Sequence, residues 1–274
     1  MLILAKKCVL EVTINMKRRA LTMSFMQVFS SPVFYLSIIG VTVLCFISVW
    51  QEINNGGGDV AYLFDIFIGL TMFKKLVVLF AAFPYVASFC SDWKCQFIKP
   101  VVIRTGISKY VWSKFITCFV SGILTVFIGQ ILFIIILSFK FPLFPNEDLN
   151  EVLLLPFKSL STGFFPPLYL LAQSFVFSMA AALWTVVGLT LSAFIPVHFA
   201  AIAAPVIASY LLEEVTTLLP NAFNLYLLTR SSDVIQQGPL VSFIYFCFIF
   251  IMLSVLAGWL FSYQVKRRVR NEVV

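Results

Sequence analysis

Six stretches of this chain are apolar on every face over lengths that suit a bilayer crossing: Pro32 to Trp50, Leu76 to Cys90, Phe115 to Phe139, Leu168 to Leu191, Phe194 to Leu212 and Leu240 to Tyr263. A crossing helix needs about 20 such residues. Backbone in lipid must pair its own polar groups, so continuous apolar runs predict helices and not barrel strands. None of the six carries a charged side chain in its middle. The second is the shortest, and Lys74 and Lys75 blur its start. Only Ser192 and Ala193 separate the fourth from the fifth, which predicts a tight hairpin there.

Between the runs the pattern changes. Over residues 5–29, Lys7, Glu11, Asn15, Arg18 and Thr22 recur at helical steps on one side, and Ala5, Val9, Val12, Met16, Ala20 and Met23 on the other. This is the pattern of a basic amphipathic helix lying at an interface, either a plain anchor or a partner contact. Ser30-Ser31-Pro32 predicts a break and restart before the first span. The connection 91–114 is punctuated by Pro100 and Gly106, and Ser108 is placed to cap the helix of the third span. That helix outruns the bilayer, and Tyr110 and Trp112 suit the headgroup level. The stretch is expected to present a short helix and a turn carrying Asp92, Lys94, Lys99 and Arg104, or to be a solvated basic loop that only sets topology. On the other side, 51–73 holds a glycine-rich turn and an apolar segment with Asp65. Residues 140–167 are proline-rich. Residues 213–239 hold Glu213, Glu214 and an apolar run from Leu218 to Leu228 too short to cross, which predicts a re-entrant or interfacial helix.

Composition removes the soluble alternative: 61% of the 274 residues are hydrophobic and 11% charged, with a mean hydropathy of +1.01. Soluble domains carry about a quarter charged residues. The net charge of +7 is then a matter of placement. Segments 1–31, 91–114 and 264–274 hold fourteen of the 19 Lys and Arg but only three of the 12 acids, Glu11, Asp92 and Glu272. By the positive-inside rule these segments are cytoplasmic, and nucleic acid is not needed to explain the charge. The expected fold is all-α and polytopic. It has an interfacial helix over 1–31, six transmembrane helices within 32–263, a basic tail over 264–274, and both termini in the cytoplasm. Lys6, Lys7 and Glu11 interrupt the first apolar residues, so no secretory leader is expected. No cysteine falls in an outer loop, so a structural disulfide is not expected, and Cys90 and Cys95 are too few and too isolated for a zinc site.

Several chemistries lack their parts. None of the 12 glycines precedes a lysine, so there is no phosphate-binding Gly-Lys-Ser/Thr loop. His198 is the only histidine, and it sits near a span end, where an interfacial role is expected. Glu213-Glu214 is similar to the Glu-Glu-x-x-x-Arg motif of membrane prenyl-protein proteases, but Leu218 stands at the sixth position. No carboxylate, histidine or lysine is expected at mid-depth, which argues against an ion-coupled carrier. Ala200, Ala204 and Ala208 repeat at steps of four beside Ala201, Pro205 and Ser209, spacing that lets helices approach closely. Pro84 and Pro205 are expected to kink the second and fifth spans.

The layout as a whole resembles the membrane subunits of type-2 ABC exporters. Within 91–114, Ser91-Asp92, then Val101-Val102-Ile103-Arg104, then Ser108-Lys109-Tyr110 to Ser113-Lys114 are similar to that family's acidic start, aliphatic-basic middle and small-basic-x-x-Tyr end. Gln96 and Phe97 stand where the family often has Ser-Gly-Thr. The resemblance implies a permease for a hydrophobic or amphiphilic substrate, paired with a second permease subunit and with separate ATPase subunits that bind ATP and magnesium. It implies no enzyme activity and no cofactor in this chain, and a place in the cell membrane, multi-pass. It also implies coupling contacts at Asp92, Trp93, Lys94, Phe97, Lys99 and Arg104, and a pathway wall at Phe83, Tyr85, Ser88 and Ala204. The alternatives are an ion-coupled secondary carrier and a non-transporting immunity or scaffold protein.

Overall fold

A computed structural model of the chain describes residues 21–56, 58–70, 72–144, 167–231 and 238–273, and among them the regular structure is helical with no strand. The helix expected over 5–29 is described from Leu21 as α1 (Leu21–Phe29), and the positions before residue 21 lie outside the described residues. A 59° bend separates α1 from α2 (Pro32–Ser48). Ser31 caps α2 by accepting from the Val33 amide at 3.3 Å, and Pro32 occupies the first turn, where its missing N–H costs nothing. Ser24 and Ser113 meet at 2.9 Å and hold α1 against the helix Ile107–Ser138.

Among the described residues, four helices are long and apolar enough to cross a membrane: α8 (Ile107–Ser138), α9 (Pro167–Phe194), α10 (His198–Thr216) and α12 (Pro239–Val273). The bent pair α1–α2 makes a fifth if counted as one crossing. This is a membrane-embedded, multi-pass, all-helical protein. The 28-residue α9 is its axis, packed against α8, α10 and α12 and buried over 83% of its apolar window. Lipid is as apolar as leucine, so close packing and internal hydrogen bonds hold such helices together. Gly188 of α9 illustrates the approach: a Cβ there would sit 2.4 Å from Pro205 Cγ and 3.0 Å from the Ala201 carbonyl oxygen of α10.

Four sequence expectations change. Leu76 to Cys90 is not one helix but α5 (Lys74–Ala82) and α6 (Ser88–Lys94), broken where Pro84 has no N–H to continue the ladder. Before them, beyond the short α3 (Trp50–Asn54), the apolar segment with Asp65 is not a surface connection but a helix of the core, α4 (Val60–Leu70). Its Val60, Leu63, Phe64, Phe67 and Ile68 are wholly buried in the main core. The helix of the third span starts at Ile107 with Gly106, not Ser108, at its cap. Gly106 has φ +81°, a left-handed geometry that fits glycine and reverses the chain between α7 (Ile98–Thr105) and α8. The fourth and fifth runs part at Ile195–Val197, around Pro196, and not at Ser192-Ala193, which lie inside α9.

After α10 the chain turns through a 3-10 segment (Asn221–Phe223) into the five-residue α11 (Leu225–Thr229). Asn224 caps α11, accepting from the Tyr226 and Leu227 amides. Leu225 and Leu228 are buried in the core, and the Tyr226 hydroxyl donates to the Gly69 carbonyl at 3.3 Å, so this segment folds back onto α4. The proline-rich loop expected over 140–167 is described only to Phe144, where the Val60 amide donates to the Pro142 carbonyl at 3.0 Å.

Candidate functional site

The buried face of α10 is Ala201, Pro205, Ser209 and Glu213, one residue every four. Steps of four keep positions on one side of a helix, so the stripe that packs tightest is this one and not Ala200, Ala204 and Ala208. Its last member is a carboxylate. Glu213 forms an ion pair with Lys75, and the Lys75 ammonium also donates to the Ser209 carbonyl at 3.3 Å and lies 5.1 Å from the Tyr210 ring centroid. Both side chains are over nine-tenths buried. The adjacent Lys74 is 8% exposed, with its ammonium 4.2 Å from the centre of the Tyr226 ring. These groups pack beside Ala180 and Ala181, the middle residues of the 28-residue α9. No carboxylate, histidine or lysine was expected at mid-depth; the structure buries Lys74, Lys75 and Glu213 among the helices, level with the middle of α9. Lys74, Lys75 and Glu213 stand in outer segments by hydropathy, but α5 and α10 carry them into the interior.

An opening of 260 Å³ adjoins this pair, lined by Gly69, Met72, Lys74, Lys75, Tyr210, Glu213, Glu214, Thr217 and Tyr226. It sits where α5 begins, α10 ends and α11 folds back. Toward the α3 end, a second polar knot centres on Asp65. The Tyr169 hydroxyl donates to its two oxygens at 3.0 and 3.1 Å, and Gln173 Nε2 donates at 2.8 Å. These bonds tie α4 to the first turns of α9. Asp59, in the loop before α4, is also buried, and that burial raises its carboxyl pKa against the lowering effect of nearby backbone N–H groups.

A third knot holds the opposite end. Lys114 of α8 pairs with Asp92 of α6 at 2.9 Å, and the Tyr110 hydroxyl donates to the same carboxylate oxygen at 2.7 Å. The Lys114 ammonium also lies 4.9 Å from the Tyr85 ring centroid. Trp93 stacks on Phe89 at 5.9 Å, and the Arg268 guanidinium covers it at 5.2 Å while bonding the Phe194 carbonyl. Ser91 meets His198 at 3.0 Å. Through these contacts α6 is fastened to α8, to the α9–α10 turn and to α12. Beyond it the chain reverses at Gln96, whose φ of +53° places it in the left-handed region. The Phe97 amide donates to the Asp92 carbonyl at 2.9 Å and the Gln96 amide to the Trp93 carbonyl at 3.1 Å, the two bonds of a Schellman ending. The result is an elbow, α6–turn–α7–Gly106–α8.

The expected coupling residues divide accordingly. Asp92 and Trp93 are engaged within the chain, whereas Lys94 and Phe97 are exposed, as is the intervening-face residue Ile103 at 84%. Lys99 and Arg104 belong to α7, and their side chains lie outside the described set. Of the expected pathway wall, Tyr85 is buried toward α8 under Lys114. Phe83 is half-buried and packs edge-on to Phe80 at 5.6 Å, Ser88 opens α6 half-buried, and Ala204 is half-buried one position off the packed stripe of α10. The Ser91–His198 and Lys75–Ser209 contacts run α5 and α6 alongside α10, with Phe83 and Ser88 between them. Residues missed by sequence reading are Lys74, Lys75, Glu213 and Lys114. For Glu213 a signal exists: it continues the step of four from Ala201.

No family model matches the chain, and no curated protein or solved structure is significantly similar to it. What the fold defines is a class, the helical multi-pass membrane protein, with charged groups built into its interior.

Proposed function

We propose that this chain is the membrane subunit of an ATP-driven exporter, a permease working with a separate ATPase and with a second, identical or related, permease subunit. In this reading the bundle makes six crossings: α2, the broken α4–α5–α6, α8, α9, α10 and α12. Both termini and the elbow face the cytoplasm of a cell membrane. The observation that carries it is the elbow. Asp92–Lys114 and Trp93–Arg268 make α6 one body with α8 and α12, while Phe97 and Ile103 stand outside unsatisfied. Exposed large apolar side chains on a helical projection suit a groove in another protein. A push on α7 would pass through α6 and α8 into the bundle without bending the joint. The substrate in this reading is hydrophobic or amphiphilic, and ATP and magnesium belong to the partner.

The test is purification of the chain in mild detergent from its native cells. A vanadate-sensitive ATP-hydrolysing activity is expected to follow it, and Phe97→Asp with Ile103→Asp is expected to remove that activity while the chain stays folded. Uphill transport by the purified chain alone would overturn the reading.

A second reading draws on the Lys75–Glu213 pair. Intramembrane ionisable pairs serve ion and proton relays, which favours an ion-coupled carrier. That carrier would keep transporting when ATP is exhausted and a gradient remains; the exporter would stop.

A further inference from the structure

We propose that the opening beside Lys74 is a binding site for the acidic head of an amphiphile, a carboxylate or phosphate group attached to a hydrocarbon tail. Calling that amphiphile the cargo rests on the permease reading; the site itself does not.

Charge within the opening is out of balance. Two buried ammonium groups, Lys74 and Lys75, share one buried carboxylate, Glu213, and that carboxylate is committed to Lys75. Lys74 makes no hydrogen bond and no ion pair among the described residues: the Tyr226 ring lies 4.2 Å from its ammonium, and Glu213 acts on it only from beyond ion-pair distance. A buried charge left without a counter-charge costs several kcal/mol, and a cation–π contact returns only part of that. Glu214 stands at the rim but is exposed and forms no ion pair among the described residues.

The backbone adds to the imbalance. Lys74 and Lys75 are the first two residues of α5, and no side chain caps that helix start. The amino end of a helix carries partial positive charge and disfavours cations. Both lysines therefore stand where burial and the helix dipole oppose them, around a 260 Å³ space. The Lys75, Leu76 and Val77 amides already donate to the Met72 and Phe73 carbonyls, so an anion in that space would be held by the Lys74 ammonium.

The walls determine the rest of the ligand. Met72 and Tyr210 line the opening and are themselves well exposed, and Leu211 and Val215 continue the apolar surface of α10 outward. The space admits a head group but not a whole lipid, and a hydrocarbon tail would leave along this apolar side.

The full chain, purified in a neutral detergent without nucleotide or partner, is titrated with oleate, dioleoyl phosphatidate and neutral dioleoylglycerol, with inorganic phosphate as the tail-less probe. Both acids are expected to bind about tenfold more tightly than dioleoylglycerol, the size of one charge-assisted contact. Phosphate alone should not displace them. Lys74→Met is expected to bring the acids down to the dioleoylglycerol level, Lys74→Arg to keep the preference, and the exposed Lys140→Met to change nothing. Without ligand, Lys74→Met should melt no lower than the parent, because it removes a buried charge whose nearest carboxylate is paired with Lys75. Equal binding of the neutral lipid, displacement by phosphate, full binding by Lys74→Met, or a lower melting point for that variant would each overturn the proposal. None of these readouts involves ATP, so failure here is distinct from failure of the exporter reading.

Discussion

Lys75 on α5 and Glu213 on α10 form an ion pair over nine-tenths buried, and the same lysine bonds the Ser209 carbonyl one turn earlier on α10. The pair clamps a short helix that Pro84 has cut from its continuation to a helix that carries Pro205 in its own interior. Removing one partner of such a pair leaves a buried charge alone. Glu213→Gln is expected to destabilise the protein by about 3–5 kcal/mol. The double change Glu213→Leu with Lys75→Met should recover most of that loss. Thermal unfolding in detergent measures both, and equal loss in the single and double variants would refute a paired role.

The Asp92–Lys114 pair makes a different prediction, because Tyr110 donates to the same carboxylate oxygen. Lys114→Met and Asp92→Asn should each loosen α6 from α8. Their combination should cost less than the sum of the two, with an interaction of about 0.5–3 kcal/mol in a double-mutant cycle. Lys114→Met leaves Asp92 still accepting from Tyr110, whereas Asp92→Asn strands the more buried Lys114 ammonium, so Lys114→Met should be the milder single change. Strict additivity in the cycle would show that the two residues act independently.

The two turns of the elbow predict opposite effects of glycine. Gln96 holds a left-handed φ of +53° with a side chain present, and Gly106 holds +81° without one. A left-handed residue with a Cβ costs about 1–2 kcal/mol. Gln96→Gly is expected to raise stability by about 1 kcal/mol, and Gly106→Ala to lower it by about 1–2 kcal/mol. A Cβ at Gly106 would meet nothing within 4 Å, so the loss would report backbone geometry and not a clash. Melting temperatures of the two variants, moving in opposite directions, are the measurement.

Legibility in the sequence followed the range of the forces involved. The helix break at Ser30–Pro32, the apolar crossings at α8, α9 and α12, and a helical element with a turn in 91–114 were all readable, because they arise from neighbours within a few residues. The interior charges were not. Lys74 and Lys75 precede an apolar run and Glu213 follows one, so local hydropathy assigns them to the surface. Their burial comes from α9 and α10 packing against α5, with α11 folded back beside them. Lys114 was counted as a topology charge for the same reason, since its partner Asp92 lies across a turn and a helix.

By itself the chain's pattern determined an all-helical protein of the membrane and the stretches too apolar to stay in water. Transfer of side chains from water to lipid depends on composition over about 20 residues, which a sequence displays directly. Tertiary structure alone decided that Pro84 yields two helices tied to different neighbours, that α4 is core, and that Lys75 meets Glu213. Those outcomes depend on which helix faces lie opposite one another. A charge can remain in an apolar interior only where its partner is brought to it, and residues so far apart in the chain meet only once the bundle has formed.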